Sequence, residues 1–469
     1  MHIRTYALIL LLASAAFVAC QKENSIIPTD NSGTVNPIDD DDPEDEDDDE
    51  EEEEEDDGIY KGLIPQQTDD LPRVYIDTPL GIGVDKYDKT KWTELCTIQI
   101  KVTVDGEEKV VYQDDSLKIR GRGNSTWNHY PKKPYRFNLD HKANFIGSGQ
   151  TKKWVLLANW MDRTLLRNDV AYEAARRTSI EWTPSGTFVE FYLDGVHLGN
   201  YWMGEKINVE KGNFLADYLF QYDISGDNQG DFQSRKGVWG QGKKTSGIPI
   251  NLKYPDLDDQ ENPSATLTAA QNALYSVESA IYSGNWSSVI DVDSFVDWLL
   301  VHELCMNGEP KHPKSCHFYM RKGKLYAGPV WDFDWGTFST NSYYQSYMTK
   351  FINFDTIYFG QLTSQPAFKN RLKERWAILK PQFQTLDAYI DARADQIRTS
   401  EAVNSTLWPF FGTDMNGKVW NGNPFAGSEG IYTGEINFDE KLSFQEAVNS
   451  MKQAISSRIS NLDRLINAL

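Results

Sequence analysis

Hydrophobic and polar residues alternate with a period of two along much of the first half of the chain, which is typical of strands with one buried face. Asp194-Gly195 separates two such stretches and favours a two-residue hairpin turn. The pattern predicts a strand-rich region between residues 72 and 255, interrupted by one helix over residues 162–177. The clearest alternating stretches are residues 97–102, 117–120, 188–193 and 198–202.

From about residue 264 the spacing of apolar residues changes to the three or four positions of an amphipathic helix. Ser443, with Glu446 three positions later, has the pattern of a capping box at a helix start. One β-hairpin interrupts this region at residues 316–330, with its turn at Lys322-Gly323. We therefore expect an α+β protein with a β-rich first lobe and a helical second lobe. The predicted helices cover residues 265–283, 292–306, 366–401 and 443–469.

Two carboxylates, Asp332 and Asp334, directly follow the late hairpin in the stretch Trp331-Asp-Phe-Asp-Trp335. Kinase-like folds use such a turn to place a metal-binding aspartate against nucleotide phosphates. The structural alternative is a strand end that is capped by exposed acids.

The loop before the hairpin contains Asn307-Gly308-Glu309. Because a hairpin returns the chain on itself, we expect Glu309 close to Asp332 and Asp334. These carboxylates are sufficient to hold Mg²⁺ or Mn²⁺ against phosphate oxygens. A glycosidase-like pair of carboxylates is the second interpretation, although nothing in the sequence sets the spacing that such a pair requires.

Basic residues and glycines gather in the early strand region. Gly121 and Gly123 allow backbone N–H groups to approach an anion, and the neighbouring arginines supply positive charge. A glycine-containing turn followed by a strand lysine is the arrangement with which kinases grip a triphosphate. The alternative is a solvated basic hairpin. The candidate nucleotide-binding residues are Arg120, Arg122, Asn124, Lys132, Lys133, Arg136 and Glu205.

The net charge of −22 is a local property of the chain. Every residue from 39 to 57 except Pro43 is acidic, and removing these 18 negative charges from −22 leaves −4. The remaining chain is therefore not a basic nucleic-acid binder. Residues 21–58 are expected to form a disordered, polyacidic tether.

The N-terminus has the pattern of an export signal, with His2 and Arg4 before an apolar run that ends in Ala19-Cys20. This ending resembles a lipoprotein cleavage site, so residues 1–20 are predicted to be a signal peptide and Cys20 the lipidated residue. An ordinary secretory peptide or a short membrane anchor are the alternatives. A disulfide between Cys305 and Cys316 and free buried thiols both remain open, and no Cys/His spacing fits a zinc site.

Five motifs in this order are together similar to the spore-coat protein H (CotH) kinase family, in the form common among lipoproteins of Bacteroidota-type bacteria. The resemblance implies an atypical protein-kinase-like fold, ATP with Mg²⁺ or Mn²⁺, and phosphate transfer to a protein Ser or Thr. It assigns metal binding to Asp332 and Asp334, and the basic strand to Lys132, Lys133 and Arg136. The motifs are Arg120-Gly-x-Gly-Asn124-Ser, Lys132-Lys-Pro-Tyr-Arg136-Phe, Leu166-Arg-Asn168, Asp194-Gly-x-x-x-Gly-x-Tyr-x-x-x-Glu205 and Gly328-Pro-x-Trp-Asp332-Phe-Asp334.

The chain departs from the family at Glu309, where family kinases carry Asp in an Asn-x-Asp loop. Glu is one methylene longer, and a shift of about 1 Å can cost on the order of 100-fold in rate. With Asp332, Glu309 is the candidate catalytic residue. The alternative function is a catalytically inactive kinase-like surface module that binds a protein or glycan.

The domain prediction is a CotH kinase-like domain over residues 59–405 and a C-terminal helical extension over residues 406–469. We expect a protein of the cell envelope that is attached to the outer membrane through its lipid anchor alone. Its partner is expected to be a protein acceptor or an envelope component.

Overall fold

The computed structural model describes residues 62–469 apart from residues 211–213, 225–229, 241, 340–346, 414, 416, 422–438 and 440. The predicted signal peptide, Cys20 and the polyacidic tether lie outside the described residues.

The early strands close into a seven-stranded barrel in the order β1-β2-β3-β4-β5-β7-β6, with β6 pairing parallel to β1. Alternate residues fill its interior, as the period-two pattern predicts; Ile119 of β3 and Phe137 of β4 are opposite one another and fully buried. The strands are β1 Arg73–Asp77, β2 Thr93–Val104, β3 Glu107–Gly121, β4 Tyr135–Ala143, β5 Thr151–Leu157, β6 Gly186–Leu193 and β7 Val196–Glu205.

The later strands form a second sheet in the order β12-β11-β8-β10-β9. The predicted late hairpin is present, with its turn at Lys322-Gly323. The expectation of one early strand region is incomplete, because β8 and β10 pair with each other and β8 pairs with the late hairpin instead of with the barrel. These strands are β8 Tyr218–Tyr222, β9 Phe232–Gln233, β10 Pro249–Tyr254, β11 Cys316–Arg321 and β12 Lys324–Ala327, and a separate ribbon pairs β13 Phe411–Thr413 with β14 Val419–Asn421.

Helices dominate after residue 263, as the change of spacing predicts. The predicted helix over residues 366–401 is two helices that separate at Thr385, and the predicted capping box of Ser443 and Glu446 is present. The helices are α1 Ser125–His129, α2 Arg167–Arg176, α3 Pro263–Ser283, α4 Trp286–Val289, α5 Val292–Cys305, α6 Phe359–Thr363, α7 Pro366–Gln384, α8 Leu386–Leu407 and α9 Phe444–Asn467; short 3₁₀ turns lie at Pro79–Gly81, Leu257–Asp259 and Glu309–Lys311.

One hydrophobic core joins the helices to the second sheet, and the barrel interior forms another. Helix α9 contributes buried residues such as Met451 and Leu462 to the first core. The predicted boundary at residue 405 stays a prediction, although α9 packs into the same core as α5 and α7.

The fold is therefore a mixed α+β arrangement with a β-rich part and a helical part, as expected. The thiols of Cys96, Cys305 and Cys316 are free and buried, which answers the open disulfide question. Over the residues that the structure describes, no helix combines the length and apolarity that crossing a membrane requires.

Candidate functional site

The acidic turn after β12 is fixed from two directions. The backbone N–H of Phe333 donates to Oδ1 of Asn168 at the start of α2 (2.7 Å). Nδ2 of Asn307 donates to the carbonyl oxygen of Asp332 (3.1 Å), and the hydroxyl of Ser315 donates to the Asp332 carboxylate (3.1 Å). Asp332 itself has a left-handed backbone with φ of 71°. These bonds hold a conformation that non-glycine residues adopt only with support from their surroundings.

Glu309 lies beside this turn, as the returning hairpin predicts. Its backbone N–H donates to Oδ1 of Asn307 (2.8 Å), the same side chain that binds the Asp332 carbonyl. The pKa of Glu309 is raised to about 8. Burial is the largest cause, and the negative charges of Asp332 and Asp334 also contribute to the rise. The loop and the acidic turn are therefore electrostatically coupled.

The pKa of Asp334 is also raised by burial and by neighbouring negative charges. Burial raises its pKa to about 8, followed by repulsion from Asp332 and Asp162, while Arg122 acts in the opposite direction. All of these side chains except Asp162 keep part of their accessible surface. Glu309, Asp332 and Asp334 are crowded by protein and still reach solvent, and we call the partly buried surface that they form with Arg122 the crevice.

Arg122 connects the early basic turn to these acids. Burial lowers its pKa, and the opposing effects come from Asp332, Tyr172 and Asp334. Its guanidinium group also lies 5.6 Å from the ring centre of Trp331. Arg122, which follows β3 of the barrel, therefore lies close enough to the acids after β12 for their charges to interact.

Arg120 and Arg136 extend the basic side of this crevice along the outer face of the barrel. They are paired residues on β3 and β4, and their guanidinium groups lie 4.6 Å and 5.2 Å from the ring centre of Trp92. Burial lowers the pKa of Arg136 to about 10, with further contributions from Arg120 and Arg122. Three predicted nucleotide-binding arginines are therefore close enough for their charges to interact.

The glycine turn has a different local role from the one predicted at Gly121. A Cβ atom at Gly121 would collide with the indole ring of Trp127, so packing against α1 requires glycine there. Asn124 is exposed and precedes α1, and its side-chain Oδ1 accepts from Nδ2 of Asn128 at 3.5 Å. Asn124 lies two residues from Arg122 and stays a candidate for binding a ligand at the rim.

Lys132 does not belong to the crevice. Its side chain is fully buried, and its ammonium group donates to Oδ1 of Asn404 on α8 (2.8 Å), to the carbonyl of Ala158 (3.0 Å) and to the carbonyl of Asn200. An ammonium group has three donors, and all of these are occupied. Lys132 joins the barrel to α8, and we exclude it from the nucleotide site.

Lys133 and Glu205 are also placed away from the acids. Lys133 donates to the carbonyl of Trp127, and its pKa is lowered by burial and then by Lys418. Glu205 is fully buried and accepts from the hydroxyl of Ser148 (2.9 Å); burial raises its pKa to about 7. Glu205 pairs with Trp154 of the barrel core, so it faces away from the arginines. We exclude both from the nucleotide site.

The family-like motif around Asn168 has a role that sequence reasoning missed. Asn168 had no role assigned from the sequence, and in the structure its Oδ1 accepts the Phe333 N–H between the two acids. Arg167 donates to the carbonyl of Thr337 (2.7 Å) and pairs with Asp162 and Asp439. The motif supports the acidic turn. Its place in the Leu166-Arg167-Asn168 motif was the signal that the sequence offered.

The acids fit a divalent cation by their chemistry. Mg²⁺ is usually held by one or two carboxylates together with waters and substrate phosphates. Asp332 and Asp334 supply such a pair, and their mutual repulsion is what a cation would relieve. Within the described ranges, no group of three or more His, Cys, Asp or Glu side chains is placed to hold a metal ion. The expected grouping of Glu309 with both aspartates around one ion is therefore not found among these residues, and Asp332 and Asp334 are the carboxylate pair that remains for a cation.

Comparison with known proteins adds a family. The family model described as CotH kinase protein matches residues 119–462, well over half of the chain. No curated protein matches the chain. The matched range begins at the strand that carries Arg120 and includes the acidic turn and most of α9. The chain belongs to the CotH kinase protein family.

Proposed function

We propose that this protein transfers a phosphoryl group from ATP to a Ser or Thr of a protein acceptor, with Mg²⁺ or Mn²⁺. The observation that carries the proposal is the position of Arg122, 5.6 Å from the ring centre of Trp331, the residue before Asp332, where its positive charge faces the negative charges of Asp332 and Asp334. A phosphate chain with a bound metal needs both signs of charge at one place, because the acids bind the metal and the cations bind the phosphates. Family membership supports the same reaction class.

The roles follow from the chemistry of each group. Asp332 and Asp334 would hold the metal, which when bound neutralises charge on the phosphates and orients them. Arg120, Arg122 and Arg136 would bind phosphate oxygens, with Asn124 at the rim.

Glu309 would position the acceptor hydroxyl and take its proton as the hydroxyl oxygen bonds to the γ-phosphorus and the bond to ADP breaks. A carboxylate whose pKa is raised to about 8 is matched to proton transfer near neutral pH.

The architecture that we infer is a two-lobed, kinase-like one, with the barrel as the basic lobe. The second sheet and the helices would form the acidic lobe. The predicted signal peptide and Cys20 favour attachment to the outer membrane through a lipid, as in the Bacteroidota-type lipoproteins of this family. The acceptor would then be a protein of the cell envelope.

The test is incubation of the purified protein with Mn²⁺, labelled ATP and a generic Ser/Thr acceptor, beside Asp332→Ala. Asp115→Ala is the matched control, since Asp115 is exposed on β3. We expect incorporation by the wild type and the control and none by Asp332→Ala. Equal incorporation in all three would remove Asp332 from the mechanism, and absence of nucleotide binding would end the proposal.

A second candidate function rests on Glu309 standing where family kinases carry Asp. A longer side chain at this position favours an inactive kinase-like surface module that binds a protein or a glycan. Thermal shift with ATP and Mn²⁺, compared with a panel of oligosaccharides, separates the two functions. Stabilisation by sugar alone would favour the binding module.

A further inference from the structure

The basic face of the barrel continues beyond the three arginines. Lys153 of β5 pairs with Asn138 of β4 and so lies on the same outer face as Arg136. The backbone N–H of Lys206, directly after β7, donates to the carbonyl of Lys153 (3.0 Å). Lys206 and Lys153 therefore follow Arg136 across adjacent strands.

The second sheet brings further polar groups to the same place. Lys253 lies at the irregularity in β10 where the register with β8 shifts, and it is exposed. His317 of β11 is only 6 % exposed, and its Nδ1 has no hydrogen-bond partner among the described residues. Burial, followed by the positive charges of Lys253 and Lys206, lowers the pKa of His317 to about 3. Groups from the barrel and the second sheet therefore face one another here.

The charges around Lys206 are of one sign. Burial lowers its pKa, and the charges that act on it most strongly are those of Arg136, Lys153, Lys253 and Arg120. Like charges that are held together raise the free energy of the site until an anion enters. Lys153 also donates to Oδ1 of Asn208 (3.0 Å), a neutral acceptor that leaves its charge uncompensated.

This lysine group differs from the part of the crevice that faces the acids. Arg122 is opposed by Asp332 and Asp334, and it also acts on Arg136. Arg136 in turn acts on Lys206. The side-chain charges therefore change from the acids Asp332 and Asp334, through the arginines, to the lysines, with Asp256 also acting on Arg136. A linear polyanion with a metal at one end matches this order of charges.

We propose that Lys153, Lys206 and Lys253, with His317, form a subsite for the phosphate chain of the nucleotide. This inference rests on the proposed function, because it assigns further residues to the phosphates of the same nucleotide. It replaces Lys132 and Lys133, the lysines that the strand pattern assigned to phosphate. An anionic group of the acceptor is the competing occupant.

The test measures binding without transfer. Isothermal titration of the full-length protein with inorganic tripolyphosphate, ATP and adenosine, each with Mn²⁺, is compared between wild type, Lys206→Gln and Lys253→Gln. We expect the affinity for tripolyphosphate and ATP to fall roughly tenfold or more, because charge-assisted bonds to phosphate are lost. Adenosine affinity should not change.

The controls separate charge from folding. Lys253→Arg keeps the charge and should retain ATP affinity within a few-fold, and Lys109→Gln, exposed at the start of β3, should behave as the wild type. Because Lys206 is partly buried, exposed Lys253 decides the result if Lys206→Gln does not fold. Unchanged ATP and tripolyphosphate affinity in Lys253→Gln would overturn the subsite, as would equal weakening of ATP and adenosine.

The lysine subsite and the transfer reaction can each be contradicted without the other. If tripolyphosphate binding depends on Lys253 but no phosphate reaches an acceptor, the subsite stands and the transfer reaction falls. If transfer depends on Asp332 while Lys253→Gln changes only the KM for the acceptor, the transfer reaction stands. The lysines would then bind the acceptor, and the subsite proposal would be wrong.

Discussion

Arg458 of α9 forms an ion pair with Glu303 of α5 in the protein interior. Nη2 of Arg458 lies 2.7 Å from Oε2 of Glu303, and both side chains are fully buried. Nε of Arg458 also donates to the Glu303 carbonyl (2.7 Å). The remaining nitrogen, Nη1, donates to the carbonyl oxygens of Tyr347, Met348 and Lys350.

This pair leads directly to the crevice. The Glu303 carboxylate accepts the backbone N–H of Asn353 (2.6 Å), and Nδ2 of Asn353 donates to the carbonyl of Asn307 (2.9 Å). Asn307 in turn binds the backbone of both Glu309 and Asp332. Four residues therefore connect the last helix to the two candidate catalytic groups.

We predict that Arg458→Met destabilises the protein by about 3–5 kcal/mol, because it leaves the Glu303 carboxylate buried without a partner. Arg458→Lys keeps the charge, but a single ammonium cannot replace the bonds made by three guanidinium nitrogens, so it should fold better and still lower kcat more than it raises KM. Urea unfolding and steady-state kinetics measure the two effects. Arg464→Met, exposed on the same helix, is the control; equal losses in both would contradict the prediction.

Asp332→Asn should abolish metal-dependent nucleotide binding while the fold is kept. Asn can still accept from the Ser315 hydroxyl, and the bond from Asn307 uses the backbone, so only the charge is lost. We expect phosphate transfer to fall by roughly 100-fold or more, the order found when one electrostatic contact in a catalytic site is removed. Mn²⁺-dependent ATP titration provides the measurement. Retained metal dependence would assign the metal to other ligands.

Glu309→Gln and Glu309→Asp distinguish proton transfer from positioning. Gln cannot accept the hydroxyl proton, so kcat should fall by roughly 10²–10⁴-fold. Asp retracts the carboxylate by about 1 Å and should cost on the order of 100-fold in a loop that Asn307 already fixes. If Glu309→Asp is instead faster than the wild type, the loop has room to follow and the family residue is better placed.

We predict that the buried carboxyl group of Glu278 makes the protein less stable as the pH rises. Its carboxylate is fully buried, and burial raises its pKa from 4.5 to about 7 despite bonds from Tyr358 and the backbone N–H groups of Arg235 and Lys236. The folded state therefore binds the proton more tightly than the unfolded state. The corresponding stability is present below pH 4.5 and is lost as the pH rises through 7.

The expected loss from Glu278 is about 3 kcal/mol between pH 4.5 and pH 8. Glu278→Gln should remove this part of the decrease, because Gln is neutral throughout and can keep an oxygen toward the two backbone N–H groups. Urea unfolding at a series of pH values measures it. Burial also raises the pKa of Glu205 to about 7. The stability of the Glu278→Gln variant should therefore still decrease as the pH rises, by the contribution of Glu205.

Lys132→Met tests whether this lysine is structural. The substitution leaves Asn404 and the carbonyls of Ala158 and Asn200 without their donor, so we expect destabilisation of about 2–4 kcal/mol. Nucleotide affinity in the folded fraction should match the wild type. A selective loss of ATP affinity, without loss of stability, would return Lys132 to the nucleotide site.

The sequence by itself determined the features that depend on neighbouring residues. The period-two stretches became strands, the helical spacing became helices, and the capping box at Ser443 formed as predicted. The late hairpin also brought Glu309 beside the acidic turn, because a turn returns the chain to a nearby point. Strands, helices, caps and hairpin turns depend on residues that are close together in the chain, so the sequence alone was sufficient for these conclusions.

Only the tertiary structure decided which basic side chains lie near the acidic turn and which do not. Lys132 points into a contact with α8, whereas Lys206, one residue after Glu205, belongs to the basic face. The pairing of β8 with β11 and the reach of Arg458 to Glu303 join residues that are far apart in the chain. Such contacts are selected by the packing free energy of the whole fold, which a local pattern of hydrophobic and polar residues does not contain.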